Sequence, residues 1–118
     1  MTRLTILITL ITIGSILTCS SCKKLDLQMD VPNCIERKIR KIRKEPVRNP
    51  PAEVWQWKFD DNTYYYFTSD CCDAFNYLYD EKCNQICAPD GGFSGVGDGN
   101  CPTFPNDIEK QLIWKDDR

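Results

Sequence analysis

Val54-Trp55-Gln56-Trp57-Lys58-Phe59, followed after Asp60-Asp61-Asn62 by Tyr64-Tyr65-Tyr66-Phe67, decides the fold. The first run alternates strictly, so Trp55, Trp57 and Phe59 share one face of a strand. The Asp/Asn cluster is a turn, and the second run is the returning strand. The two-residue loop is Asp60-Asp61 or Asp61-Asn62. Either register puts Tyr64 and Tyr66 on the face of Trp55, Trp57 and Phe59. These five aromatic side chains are the expected main core. Tyr65 and Phe67 fall on the reverse face and are the expected contact residues if the strands form a sugar-stacking platform.

Upstream, Asn33 to Lys44 reads as a helix. Pro32 and Asn33 stand at its start, and Asn33 with Glu36 resembles a capping box. Ile35, Ile39 and Ile42 recur at helical spacing, and Lys and Arg occupy the other faces. Pro46 ends the helix, and Asn49-Pro50-Pro51 is a stiff connector. The basic face either touches anionic lipid head groups or is a solvated flank of a helix packed through its isoleucines.

Downstream, Phe75 to Tyr79 is a third short strand or a single helical turn. Asn84 to Ala88 is an expected fourth strand. Pro89 to Pro102 is irregular and glycine-rich. Ile108 to Trp114 closes the chain as a strand, or as a helix. The expected class is α+β: one N-terminal helix on an antiparallel sheet of three to five strands, with a glycine-rich loop and three disulfides.

The first residues read as an address. Met1-Thr2-Arg3 carries one positive charge, and Leu4 to Leu17 is largely apolar, the pattern of a secretory signal. The stretch is shorter than the roughly 20 apolar residues that span a bilayer. Thr18-Cys19-Ser20-Ser21-Cys22-Lys23 then resembles the lipobox of bacterial lipoproteins. Cleavage before Cys22 leaves six further cysteines, an even number able to pair, whereas cleavage before Cys19 strands one thiol. Lipidation is therefore expected at Cys22, with Cys19 as the alternative. The expected organisation is a signal peptide over 1–21, a lipidated tether over 22–32 and one globular domain over 33–118. The membrane is then a partner through the N-terminal lipid. The expected address is the bacterial cell envelope, on its periplasmic or outer-surface side.

Composition narrows the chemistry. Eight cysteines in 118 residues point to a disulfide scaffold, and export places it where disulfides persist. The spacing of Cys71, Cys72, Cys83 and Cys87 misses the usual zinc pairs, and no C-x-x-C motif suits an oxidoreductase. Adjacent Cys71 and Cys72 are expected to take different partners. Cys34 is expected to tie the helix to the sheet, and Cys87 and Cys101 to pin an Ω-loop. The absence of histidine removes the commonest general base, and no G-x-S-x-G is present. Lys23 to Arg48 holds nine bases and four acids, a net charge of +5; Asn49 to Arg118 holds five and thirteen, a net charge of -8. This basic arm on an acidic domain does not suit a nucleic-acid binder.

In the glycine-rich loop, Asp90, Asp98 and Asn100 are hard oxygen donors and form a possible binding loop. Calcium is the minor reading there and an ordered Ω-loop the major one, because the spacing is not that of the EF-hand. No cofactor is expected.

Several fragments together carry a resemblance: Asn49-Pro50-Pro51-Ala52, the aromatic hairpin, Cys71-Cys72-Asp73, Leu78-Tyr79-Asp80, Ile86-Cys87-Ala88-Pro89-Asp90-Gly91-Gly92 and Gly97-Asp98-Gly99-Asn100-Cys101-Pro102. In this order, from Cys34 to Trp114, the chain resembles a family of bacterial secreted lipoproteins catalogued as a domain of unknown function (number 6970). That resemblance implies a secreted lipoprotein and brings no activity. Where many relatives have Asn-Gly at the hairpin, this chain has Asp60-Asp61. Asp-Asp suits a type I′ turn less well, so a longer or displaced turn is expected.

The leading functional expectation is a non-enzymatic binding or structural module of the envelope, with a protein or glycan partner. The alternatives are a protease-inhibitor-like domain presenting the Cys87–Cys101 loop, or a small hydrolase using Asp73, Asp90 and Asp98.

Overall fold

The computed structural model describes residues 24–118; the expected signal peptide and both lipidation candidates, Cys19 and Cys22, lie outside the described residues. Among the described residues one helix, α1 (Asn33–Lys44), precedes five strands: β1 (Glu53–Phe59), β2 (Asn62–Phe67), β3 (Phe75–Asp80), β4 (Gln85–Gly91) and β5 (Glu109–Lys115). All neighbours are antiparallel, in the order β4-β3-β2-β1-β5. The fold is α+β, as expected, and its strands number five.

The hairpin pairs Phe59 with Asn62, so the loop is Asp60-Asp61 alone. Both aspartates adopt positive φ, 49° and 57°, as a type I′ turn requires. The longer turn is thus corrected. Aspartate tolerates this backbone region, and the Asn62 side chain donates to the Asp60 carbonyl at 2.8 Å.

Trp55 faces Tyr66 and Trp57 faces Tyr64, on one side of the sheet. This is not the side of the main core, which is a second correction. The helix buries Ile35, Ile39 and Ile42 against Val54, Tyr65, Phe67, Ile113 and Trp114 on the opposite side. A register shift between β1 and β5 sets Val54 against Trp114 and Trp55 against Leu112. This irregularity lets the consecutive Ile113 and Trp114 both be buried. Tyr65 and Phe67, expected as contact residues, are 2% and 8% exposed.

The aromatic side holds a smaller cluster of Trp57, Leu78 and Cys87, with Phe104 and Ile108 packed on it. Its cover follows from topology: β4 and β5 are opposite edges, so the chain between them must cross one face. It crosses the aromatic one, where Phe104 meets Trp57 edge-on at 5.4 Å.

Two local expectations also change. Pro32 caps α1 without a side-chain hydrogen bond, and Glu36 pairs with Arg40 instead of closing a capping box. The stretch expected as a free tether packs in part: Leu25 is buried, Leu27, Met29 and Val31 are partly so, and the Gln28 amide donates to the Ile113 carbonyl at 2.9 Å. Side chains 25, 27, 29 and 31 alternate, which suits an extended segment laid on a hydrophobic surface.

Candidate functional site

The helix covers β1, β5 and part of β2 but leaves β3 open. Tyr79 pairs with Tyr65 and Tyr77 with Phe67, so Phe75, Tyr77 and Tyr79 lie on the helix side of the sheet. With Phe67 they form a continuous row of rings. Centroids are 5.4 Å apart for Phe67–Tyr79, 6.4 Å for Tyr77–Tyr79 and 6.0 Å for Phe75–Tyr77. This row lines a groove of about 530 Å³ between α1 and β3. That volume lies within the range of ligand sites; the aromatic row forms one wall, and charged side chains of α1 and the β2–β3 loop form much of the rest.

The polar groups are placed by both walls. Lys38, from α1, sits over the Tyr79 ring at 4.1 Å. Burial, and then the neighbouring Tyr77, push the Tyr79 phenol above its usual range, so it stays a neutral donor. Arg48 closes one end: Nη1 donates to the Thr68 carbonyl at 3.0 Å and Nη2 to Glu45 at 3.3 Å. The β2–β3 loop supplies Asp70 and Asp73 to the rim. Asn76 holds that loop in place, accepting from the Ser69 amide at 2.7 Å and the Ser69 hydroxyl at 2.9 Å.

On the other side of the sheet a shallower hollow of about 220 Å³ is lined by Trp55, Trp57, Tyr66, Asp90 and Lys110. Tyr66 donates to Asp90 Oδ1 at 2.7 Å, and Asn76 Nδ2 donates to the same oxygen at 2.7 Å. Burial, and then the bond to Asp90 and its charge, drive the Tyr66 phenol far above its usual value. It therefore remains a donor at every physiological pH.

The glycine-rich segment is pinned by the Cys87–Cys101 bond, as the Ω-loop expectation has it, and its acidic residues bond separately. Asp90 points its carboxylate to Tyr66 and Asn76, whereas Asp98 Oδ1 accepts the Asn100 amide at 2.9 Å within its own turn. That bond, ahead of the opposing effect of desolvation, lowers the Asp98 pKa. Asp90 and Asp98 are thus engaged with different partners. Among the described residues no three His, Cys, Asp or Glu side chains come together to hold a metal. Asp73 borders the groove and Asp90 the hollow, on opposite sides of the sheet, so these two carboxylates do not face across one cleft.

The cysteines pair as Cys34–Cys83, Cys87–Cys101 and Cys71–Cys72. The first ties α1 to the β3–β4 turn and the second pins the glycine-rich loop. Cys71 and Cys72 join each other rather than separate partners, and among the described residues the other four cysteines pair with one another. At the tip of the pinned loop, Phe93 is 96% and Val96 75% exposed. The Gly95 amide closes a turn on the Gly92 carbonyl at 3.1 Å beneath Phe93.

Sequence reasoning missed the groove. Phe75, Tyr77 and Tyr79 do alternate, and that signal was available, but their exposure depends on where the helix stops covering the sheet. Among the described residues no helix is long and apolar enough to cross a membrane.

Comparison with curated proteins and with solved structures returned no match. A family model, domain of unknown function (DUF6970), matches residues 40–116, which include all five strands, the whole hollow and the groove lining except Lys38. The chain therefore belongs to the DUF6970 family.

Proposed function

We propose that this protein is a non-catalytic binding module of the bacterial cell envelope, held at a membrane by a lipid on Cys22, or on Cys19, and that it takes its ligand in the groove between α1 and β3. The observation that carries the binding reading is the row Phe67–Tyr79–Tyr77–Phe75 beneath Lys38. Rings packed edge to face give contact area at little conformational cost, and ammonium and carboxylate groups at the rim orient what lies on them. The N-terminal charge and apolar pattern supports export, and the disulfides suit an oxidising compartment.

Two experiments test the two halves. Intact mass spectrometry of the protein from bacterial membranes should show cleavage before Cys22, an acyl increment and six oxidised cysteines; an unacylated full-length chain with free thiols contradicts the anchor. Thermal denaturation across a library of peptides and oligosaccharides should yield ligands that raise the native melting temperature but not that of Tyr77→Ser. A library without such a ligand contradicts the groove.

A second reading, a protease-inhibitor-like domain, draws on Phe93 at the tip of the Cys87–Cys101 loop. A rigid loop presenting one bare apolar side chain is a means of filling a partner's pocket. Inhibition of a chymotrypsin-like protease that Phe93→Ser abolishes would support it, and failure across a protease panel would remove it.

A further inference from the structure

We infer that the hollow on the face opposite the groove is a saccharide subsite, selective for a neutral sugar ring. This inference concerns different residues from the groove and does not rest on it.

The hollow is built from fixed parts. Trp55 is half-buried, and its indole N–H donates to Glu53 at 3.0 Å, which sets the plane of the ring. Glu53 is held in turn by Lys115 at 3.0 Å. Tyr66 lies opposite Trp55 on β2, stacked on Trp57 at 5.0 Å with 14° between the planes. Its hydroxyl is committed to Asp90 Oδ1. Both rings are thus oriented before any ligand arrives, which spares a ligand the cost of ordering them.

The charges around the rings choose the ligand. Asp90 Oδ1 accepts two hydrogen bonds, while Oδ2 accepts none among the described residues and is left as an acceptor. Lys110 is exposed, with Nζ 4.1 Å above the Trp57 ring, and its ammonium carries three donors. One carboxylate and one ammonium therefore border the same space, and the Glu53–Lys115 pair behind Trp55 is also balanced. A cation gains from Asp90 and loses to Lys110; an anion does the reverse. A neutral molecule is favoured when it offers hydroxyls that both donate and accept, together with an apolar face to lie on an indole. A pyranose ring has this combination. About 220 Å³ is below the volume of a drug-sized site and suits one ring, with the shallow walls leaving room for a chain to continue.

The test uses the full chain, nitrogen-labelled, in micelles of a detergent without sugar groups. Glucose, N-acetylglucosamine, glucosamine and glucuronate are titrated to millimolar levels while the Trp55 indole N–H resonance is followed. The two neutral sugars should shift it saturably, and the two charged ones should bind about tenfold more weakly, a difference of about 1.4 kcal/mol. Trp55→Ala should abolish the neutral-sugar response at the other indoles. Lys110→Glu alters only an exposed side chain, so it keeps the test open if the Trp55 variant fails to fold. It should turn the preference towards glucosamine. No saturable shift with either neutral sugar, equal binding of the charged sugars, or an unchanged preference in Lys110→Glu would each overturn the inference.

Discussion

Cys34, in the first turn of α1, is bonded to Cys83, in the turn between β3 and β4, across 49 residues of sequence. This bond pins the start of the helix beside the end of β3. From there α1 runs back along β3, so Lys38 meets Tyr79 while Glu45 and Arg48 reach the Thr68 end of the groove. The isoleucine face covers β1 and β5, and the helix-side face of β3 remains open. One covalent link thus helps to determine which aromatic residues are core and which line a site.

The same bond closes the longest loop, so it should contribute most to stability. In the chain-entropy account a loop of this length is worth about 4 kcal/mol, and the Cys87–Cys101 loop, with a separation of 14, about 3 kcal/mol. Urea unfolding of Cys34→Ser/Cys83→Ser should therefore show a larger loss than Cys87→Ser/Cys101→Ser. An equal or smaller loss would mean that the helix holds its place by isoleucine packing alone.

Acid should weaken the C-terminal clasp. Asp116 is 2% exposed, pairs with Arg118 at 2.7 Å, and Arg118 also donates to the Arg43 and Glu45 carbonyls at the end of α1. The hydrogen bond from Arg118 lowers the Asp116 pKa despite the opposing effect of burial. A carboxylate depressed in the folded state stabilises it fully above the ordinary value of about 4, and that contribution disappears as pH falls through the folded value. Asp80 is lowered too: burial opposes, but bonds from Asn84 and Lys82 prevail. The urea midpoint of the native protein should fall between about pH 5 and pH 2, and that of Asp116→Asn should fall less. Parallel pH curves for the two proteins would contradict this assignment.

Two glycines of the pinned loop should respond differently to alanine. Gly95 and Gly97 both have positive φ, +75° and +80°. A Cβ on Gly95 meets open space, so Gly95→Ala should cost only the backbone strain, about 1–2 kcal/mol. A Cβ on Gly97 would collide with the Ala88 carbonyl, which cannot move without disturbing β4. Gly97→Ala should cost about 3 kcal/mol or more in urea unfolding. Equal costs would show that the loop is not braced against β4.

How far the sequence was readable differs by element. Alternation from Val54 to Phe67 fixes the hairpin, and the spacing of Ile35, Ile39 and Ile42 fixes the buried face of α1, because both signals are local. Alternation alone does not say which side of a sheet a helix will choose. Trp55, Trp57 and Tyr66 outweigh Val54, Tyr65 and Phe67 in ring area, yet the helix packs on the latter because the chain from β4 to β5 covers the former. Leu25, Leu27, Met29 and Val31 alternate as clearly as β1, but the surface that receives them includes Ile113, far along the chain. The groove was least visible, since its openness depends on the Cys34–Cys83 pairing, one of fifteen connectivities open to six cysteines.

The most direct measurement follows the tyrosine ring resonances of the native protein while a ligand found by thermal stabilisation is titrated in. Tyr77 and Tyr79 should shift together and saturably, whereas Tyr64, on the opposite face beside Phe59, should stay still. Saturable binding that leaves Tyr77 and Tyr79 unmoved would contradict the assignment of the groove between α1 and β3 as the binding site.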